Sequence, residues 1–181
     1  MDNSSQFEFQ QLFPNLQWEV IVKMSDPELI DLCRSSHAME NFCNTRDWFW
    51  RDRIQSQFGL DTADPTIHQM LQNNENNWFR VYFLLIKLNK LKQKLSLNRY
   101  NLIDLYNEDT LDMAYIRPTE LPREIGNLTN LRILYLLNNQ LTEVPREIGN
   151  LTNLQNLSLS NNQLTDPNSI KQMLPNVNLD L

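Results

Sequence analysis

A block of 23 residues occurs twice, nearly unchanged, and no other feature of the chain restricts its fold so tightly. Residues 121–143 read LPREIGNLTNLRILYLLNNQLTE and residues 144–166 read VPREIGNLTNLQNLSLSNNQLTD; the offset, Pro145 minus Pro122, is 23. Self-similarity at such a period means stacked supersecondary units, because one unit of this length cannot bury its own apolar face. Leu134 and Leu136 alternate with Ile133, Tyr135 and Leu137, and Leu157 and Leu159 repeat the alternation, so each unit holds one short strand. Ile125, Leu128, Leu131 and Leu141 complete each core layer. Asn139 and Asn162 stand where the chain leaves the strand, where an amide side chain can serve backbone groups of its own and adjacent coils. Pro122 and Pro145 precede a short helical turn, where a missing N–H does no harm, and Gly126 and Gly149 are expected to end it.

The spacing L-x-x-L-x-L-x-x-N-x-L resembles the leucine-rich repeat family. The array extends in both directions. Subtracting 23 places Leu111, Met113, Thr119 and Glu120 on Leu134, Leu136, Thr142 and Glu143, so residues 99–121 form a degenerate earlier copy in which Ile116 replaces the Asn. Leu174, Val177, Leu179 and Leu181 begin a partial later copy with one residue deleted. The expected architecture is an α/β solenoid of parallel strands and short helical turns. Its concave face would carry Asp112, Tyr135, Ser158 and Asp180 in one column and Ala114, Leu137 and Ser160 in the next, the candidate partner-binding residues. Four strands span only roughly 15–20 Å. A tight partner therefore has to reach loops or the helical half as well, or bridge two copies. The open strand at Leu179–Leu181 leaves an edge that either another surface covers, a longer chain continues, or a second copy pairs with to make a homodimer.

Residues 1–58 lack the repeat and read as helices. Ser25-Asp26 before Pro27-Glu28 is a helix start, and Leu29, Leu32 and Cys33 share one face. Met24-Ser25-Asp26-Pro27-Glu28-Leu29, Leu32-Cys33, Phe42-Cys43 and Phe49-Trp50 together resemble the F-box, an all-α three-helix module. At its start either Phe13-Pro14 stands for the family's Leu-Pro, or Leu16 to Ile21 supplies the residue types with a shorter first helix. The ordered set together with the leucine-rich repeats is similar to F-box proteins of large DNA viruses. The resemblance implies a substrate-recruiting subunit of a cullin-type ubiquitin ligase that holds a Skp-type adaptor through Pro14, Leu16, Val20, Ile21, Pro27, Leu29 and Trp50. The repeats would then bind the substrate. The other interpretation is an interaction module whose helices only cap the solenoid.

Residues 59–98 form a connector. Asn73, Asn74, Glu75, Asn76 and Asn77 suggest a turn, and residues 78–97 one helix with Val81, Leu84, Leu85, Leu88, Leu91 and Leu95 on its apolar stripe. That helix is expected to cap the first of the repeats, which occupy residues 99–181.

Composition narrows the function. A net charge of -6 argues against nucleic-acid binding, which needs clustered cations. No segment has the length and hydropathy of a membrane span, and no leader pattern opens the chain, which predicts an intracellular, cytoplasmic protein, or the host cytoplasm for a viral one. Three glycines make a phosphate loop implausible. His37 and His68 have no ligand-spaced partners, so neither metal nor cofactor is expected. Cys33 lies between Leu32 and Arg34 without an activating set, so no catalytic residue is expected. Cys33 and Cys43 are both expected to be buried, reduced thiols.

Overall fold

The computed structural model describes Ile21 and residues 23–181. The chain divides into two compact units, one ending at Phe49 and one running from Trp50 to Leu181. The division falls inside a helix.

In the first unit, α1 (Asp26–Arg34) and α2 (His37–Asn44) form a packed helical hairpin. Ser25 opens α1. Its N–H and its hydroxyl both donate to Glu28 Oε2, at 2.9 and 2.6 Å, and these bonds hold the Glu28 carboxyl below the usual carboxylate range. Ser36 opens α2 by accepting from the Met39 N–H. Leu29, Cys33, Met39, Phe42 and Cys43 are buried.

The two cysteines correct the sequence expectation: Cys33 and Cys43 form a disulfide. Each sits in the last turn of its helix, and packing α1 on α2 brings their Cα atoms to 5.9 Å, inside the range a disulfide spans. Both are buried, as expected. Their pairing has no sequence signal, because a separation of ten residues shows nothing about which faces of two helices meet.

The next helix, α3 (Asp47–Phe58), crosses the boundary between the units. Beyond it the second unit continues with α4 (Pro65–Asn73), α5 (Trp78–Lys94) and α6 (Leu102–Asn107). Asp64, Asn77 and Asn101 cap these three helices, each accepting a backbone N–H of the first turn. The turn between α4 and α5 places Glu75 and Asn76 in the left-handed region, and every residue of the α5 stripe except half-buried Leu84 is buried.

Four strands complete the chain: β1 (Thr110–Asp112), β2 (Ile133–Tyr135), β3 (Asn156–Ser158) and β4 (Asn178–Asp180). They make one parallel sheet in chain order, with Leu111, Leu134, Leu157 and Leu179 in register. Turns of 3-10 helix at Arg123–Asn127 and Arg146–Asn150 close the first two coils, and α7 (Pro167–Met173) closes the third. Leu128, Leu131, Leu134, Leu136 and Leu141 have no exposed surface. Burial of each such side chain stabilises the fold by about 1.5–3 kcal/mol. The coils thus form an α/β solenoid.

Gly126 has a different purpose from the one its position suggests. Neither Gly126 nor Gly149 is left-handed, so neither ends its turn as a left-handed cap. A Cβ at Gly126 would overlap the Glu147 carbonyl of the next coil, whereas at Gly149 it would meet only Met173 O, at 3.8 Å. Gly126 lets two successive coils approach.

Candidate protein-binding face

Asparagine side chains tie each coil of the sheet to the one before it. Asn139 donates to Leu136 O in its own coil at 2.8 Å and to Met113 O in the coil before at 2.9 Å, and accepts from Arg117 N–H at 2.7 Å. Asn162 repeats this with Leu159 O, Leu136 O and Leu141 N–H. The degenerate copy, whose Asn is replaced by Ile116, has its turn held from outside by Asn139. Ile116 is thereby released to the surface and is 48% exposed. A second pair of amides, which the sequence did not single out, acts in the same way. Asn130 donates to Tyr106 O and Asn153 to Thr129 O, one coil back in each case.

The N-terminal end of the stack is held by charge. Glu124, buried in the first 3-10 turn, lies 3.0 Å from Lys90 Nζ and 3.6 Å from Lys94 Nζ of α5. Burial pushes the Glu124 carboxyl up, but the Lys90 hydrogen bond, a backbone hydrogen bond and the charges of Lys90 and Lys94 together outweigh it and hold the group below the usual carboxylate range. Two lysines of the basic helix thus face a carboxylate of the solenoid.

On the candidate face, Asp112 is exposed and its Oδ1 accepts from Ala114 N–H at 3.0 Å. Arg99 donates to the Asp112 carbonyl at 3.1 Å. Tyr135 is 37% exposed beside Asp112 in register, and Leu137 is half-buried. Ser158 and Ser160 both donate to Asp180 Oδ2, at 2.7 and 3.0 Å. Asp112, Tyr135, Ser158 and Asp180 thus stand in one register row across the four strands, with Leu137 and Ser160 following after β2 and β3. The loop that leaves β1 exposes three residues the sequence did not single out, Tyr115, Ile116 and Arg117. A signal for them exists, because the 23-residue offset sets Tyr115 against Asn138 and Asn161.

The residues carried by the F-box resemblance are distributed differently. Pro14, Leu16 and Val20 lie outside the described residues. Ile21 and Leu29 are buried at 2% exposure, and Pro27 is exposed in the first turn of α1. Trp50 is buried in the second unit, its ring 4.8 Å from that of Phe79 and 5.2 Å from that of Tyr82. Among the described residues no cluster of His, Cys, Asp and Glu could hold a metal ion, and no helix is long and apolar enough to cross a membrane.

Residues 129–172 match the family model for leucine-rich repeats in two copies. Among solved structures, a leucine-rich-repeat protein of Leptospira interrogans is 43% identical over 36% of this chain, with a TM-score of 0.35. The match covers 17% of that protein's length. No curated protein matches. The C-terminal part of this chain is built of leucine-rich repeats.

Proposed function

We propose that the chain is a non-enzymatic protein-interaction adaptor whose repeat face holds a protein partner. One observation carries this reading: a four-stranded parallel sheet presents aromatic, aliphatic and charged side chains to solvent on one surface. Leucine-rich repeats generally mediate protein–protein interaction, and no feature of the face requires a cofactor. Chemical crosslinking of the purified chain to a candidate partner, mapped by mass spectrometry, tests it. Crosslinks confined to surfaces away from the sheet and its loops would overturn it.

In the form the F-box resemblance implies, the N-terminal helices hold a Skp-type adaptor in a reducing cytoplasm, of a host cell for a viral protein, and the repeats recruit a substrate for a cullin-type ubiquitin ligase. The helix start at Ser25–Glu28 with Pro27 exposed supports it. Titration of purified Skp-type adaptor is the test, with Leu16→Asp as control. Leu29→Asp is unsuitable, because a carboxylate at that buried site would unfold the hairpin. Binding at about micromolar affinity or tighter, lost in a folded Leu16→Asp variant, supports the ligase reading. No binding removes it.

The Cys33–Cys43 disulfide favours a second reading, an interaction module outside the ligase system, because such bonds persist in oxidising compartments. Thiol alkylation of protein from its native compartment, with and without reductant, separates the two. Free thiols in the unreduced sample would remove the oxidised reading. Pairing of two copies along β4, at the end of the sheet order, is a further part of the proposal. Light scattering that gives one chain's mass at high concentration would remove it.

A further inference from the structure

The concave face is divided into unlike halves. On the β3–β4 side the polar groups are satisfied among themselves. Ser158 and Ser160 converge on Asp180, and Asn178 donates to Asn156 Oδ1. On the β1–β2 side apolar side chains are exposed around one carboxylate, Asp112, whose Oδ1 accepts from the Ala114 N–H. Tyr115 at 70% exposure, Ile116 at 48% and Tyr135 at 37% are three of the five large apolar side chains exposed among the described residues. Register joins them: Asp112 pairs with Tyr135, and Tyr115 N–H donates to Leu137 O.

The backbone beneath this patch is strained. Tyr115 and Arg117 have φ of 62° and 60°. Asn138 and Asn161 occupy the column of Tyr115 with φ of 56° and 59°. Asn tolerates the left-handed region, whereas a bulky side chain there is an outlier. Tyr115 is thus a poor choice for its turn and gains nothing from burial. Two cations belong to the same stretch, Arg117, two residues along the loop, and Arg99, which donates to the Asp112 carbonyl, and neither joins an ion pair among the described residues, although the chain's net charge is -6.

We propose that Tyr115, Ile116, Arg117, Tyr135 and Leu137, with Arg99 at their edge, form the docking site for a linear segment of a partner protein that carries an apolar anchor beside a carboxylate. This rests on the reading of the sheet face as a protein-binding surface and states which half binds and what it binds. The apolar rings and aliphatic chains take the anchor, and the arginines take the carboxylate. A linear segment suits the available area, which is a few hundred Å², below the roughly 800 Å² per side of a standard interface between folded domains.

Selection of displayed random linear peptides against the full chain tests the site. Enriched peptides are expected to pair an aliphatic or aromatic residue with Asp or Glu. Their affinity should fall about ten-fold or more in Tyr115→Asn and again in Arg117→Glu, and stay unchanged in Ser160→Ala. Tyr115→Asn should also raise the melting temperature by about 2–4 °C, so weaker binding there would not reflect a damaged fold. Loss of binding in Ser160→Ala but not in Tyr115→Asn would overturn the site and keep the face. Peptides indifferent to all three substitutions would overturn both. Enrichment of basic peptides, or of none, would overturn the proposed occupant.

Discussion

Asn139 is the residue on which neighbouring coils depend most directly. Its single amide serves three backbone groups from two coils while 6% exposed. Substitution by Ala leaves Met113 O, Leu136 O and Arg117 N–H to find other partners, and should cost about 1–3 kcal/mol. Asn162→Ala should cost less, because its site is half-buried and water can reach the freed groups. Urea midpoints of the two variants measure the difference, and equal midpoints would contradict it. The same scale separates the two glycines that the repeat makes look equivalent. Gly126→Ala forces apart the two 3-10 turns and should destabilise by about 1–3 kcal/mol. Gly149→Ala meets nothing closer than 3.8 Å and should be neutral or stabilising by up to about 1 kcal/mol. Period and residue type showed that both glycines belong to the turn. Which of them is pressed by its neighbour depends on the next coil: a second 3-10 turn lies over Gly126, and α7 lies near Gly149.

At the scale of elements, two linkages set the response to reductant and to acid. The disulfide closes a loop between α1 and α2 with a sequence separation of 10, which should contribute about 2–3 kcal/mol to that hairpin. Loss of helical signal on adding reductant should therefore start in residues 26–44, and amide exchange resolved by segment would show it. Uniform protection in both states would contradict this. Glu124 links α5 to the first repeat. Its folded pKa is depressed, so its contribution is full above the unfolded value and is lost as pH falls through the folded one, below about pH 4.3. Glu124→Gln should remove part of the acid sensitivity while costing about 1 kcal/mol at neutral pH, because both lysines are half exposed and screened. Midpoints measured at neutral pH and at about pH 3.5 would reveal the altered slope. The lysines of α5 were legible as a basic stripe, and the apolar stripe was legible as buried. Their partner was not, because Glu124 and Glu147 occupy the same place in the repeat and only stacking against α5 separates them. Trp50 shows a similar limit at longer range: its neighbours Phe79 and Tyr82 lie about thirty residues along the chain, beyond any local pattern.

For the molecule as a whole, the repeat unit's stability is carried by neighbours, so position in the stack decides what a lost side chain costs. Leu134 is fully buried between β1 and β3, while Leu179 occupies the same register position on β4 and is half-buried. In a nearest-neighbour array the interior coil couples to two interfaces and the terminal coil to one. Leu134→Ala should cost about 3–5 kcal/mol, with cavity formation added to lost transfer energy, and should lower the midpoint of the whole solenoid. Leu179→Ala should cost under about 1.5 kcal/mol and act by fraying residues 174–181, leaving the main transition nearly in place. Amide exchange of Leu134 and Tyr135 in urea reports on the interior coil, and that of Leu179 and Asp180 on the terminal one. A Leu179→Ala variant that shifts both signals equally would mean that the four coils unfold as one cooperative block. The patch at Tyr115 would then be rigidly linked to the far edge of the sheet, and binding there would protect β4 as strongly as β1. If only the terminal signal shifts, segment binding at Tyr115 should protect the coils of β1 and β2 and leave β4 exchanging as before.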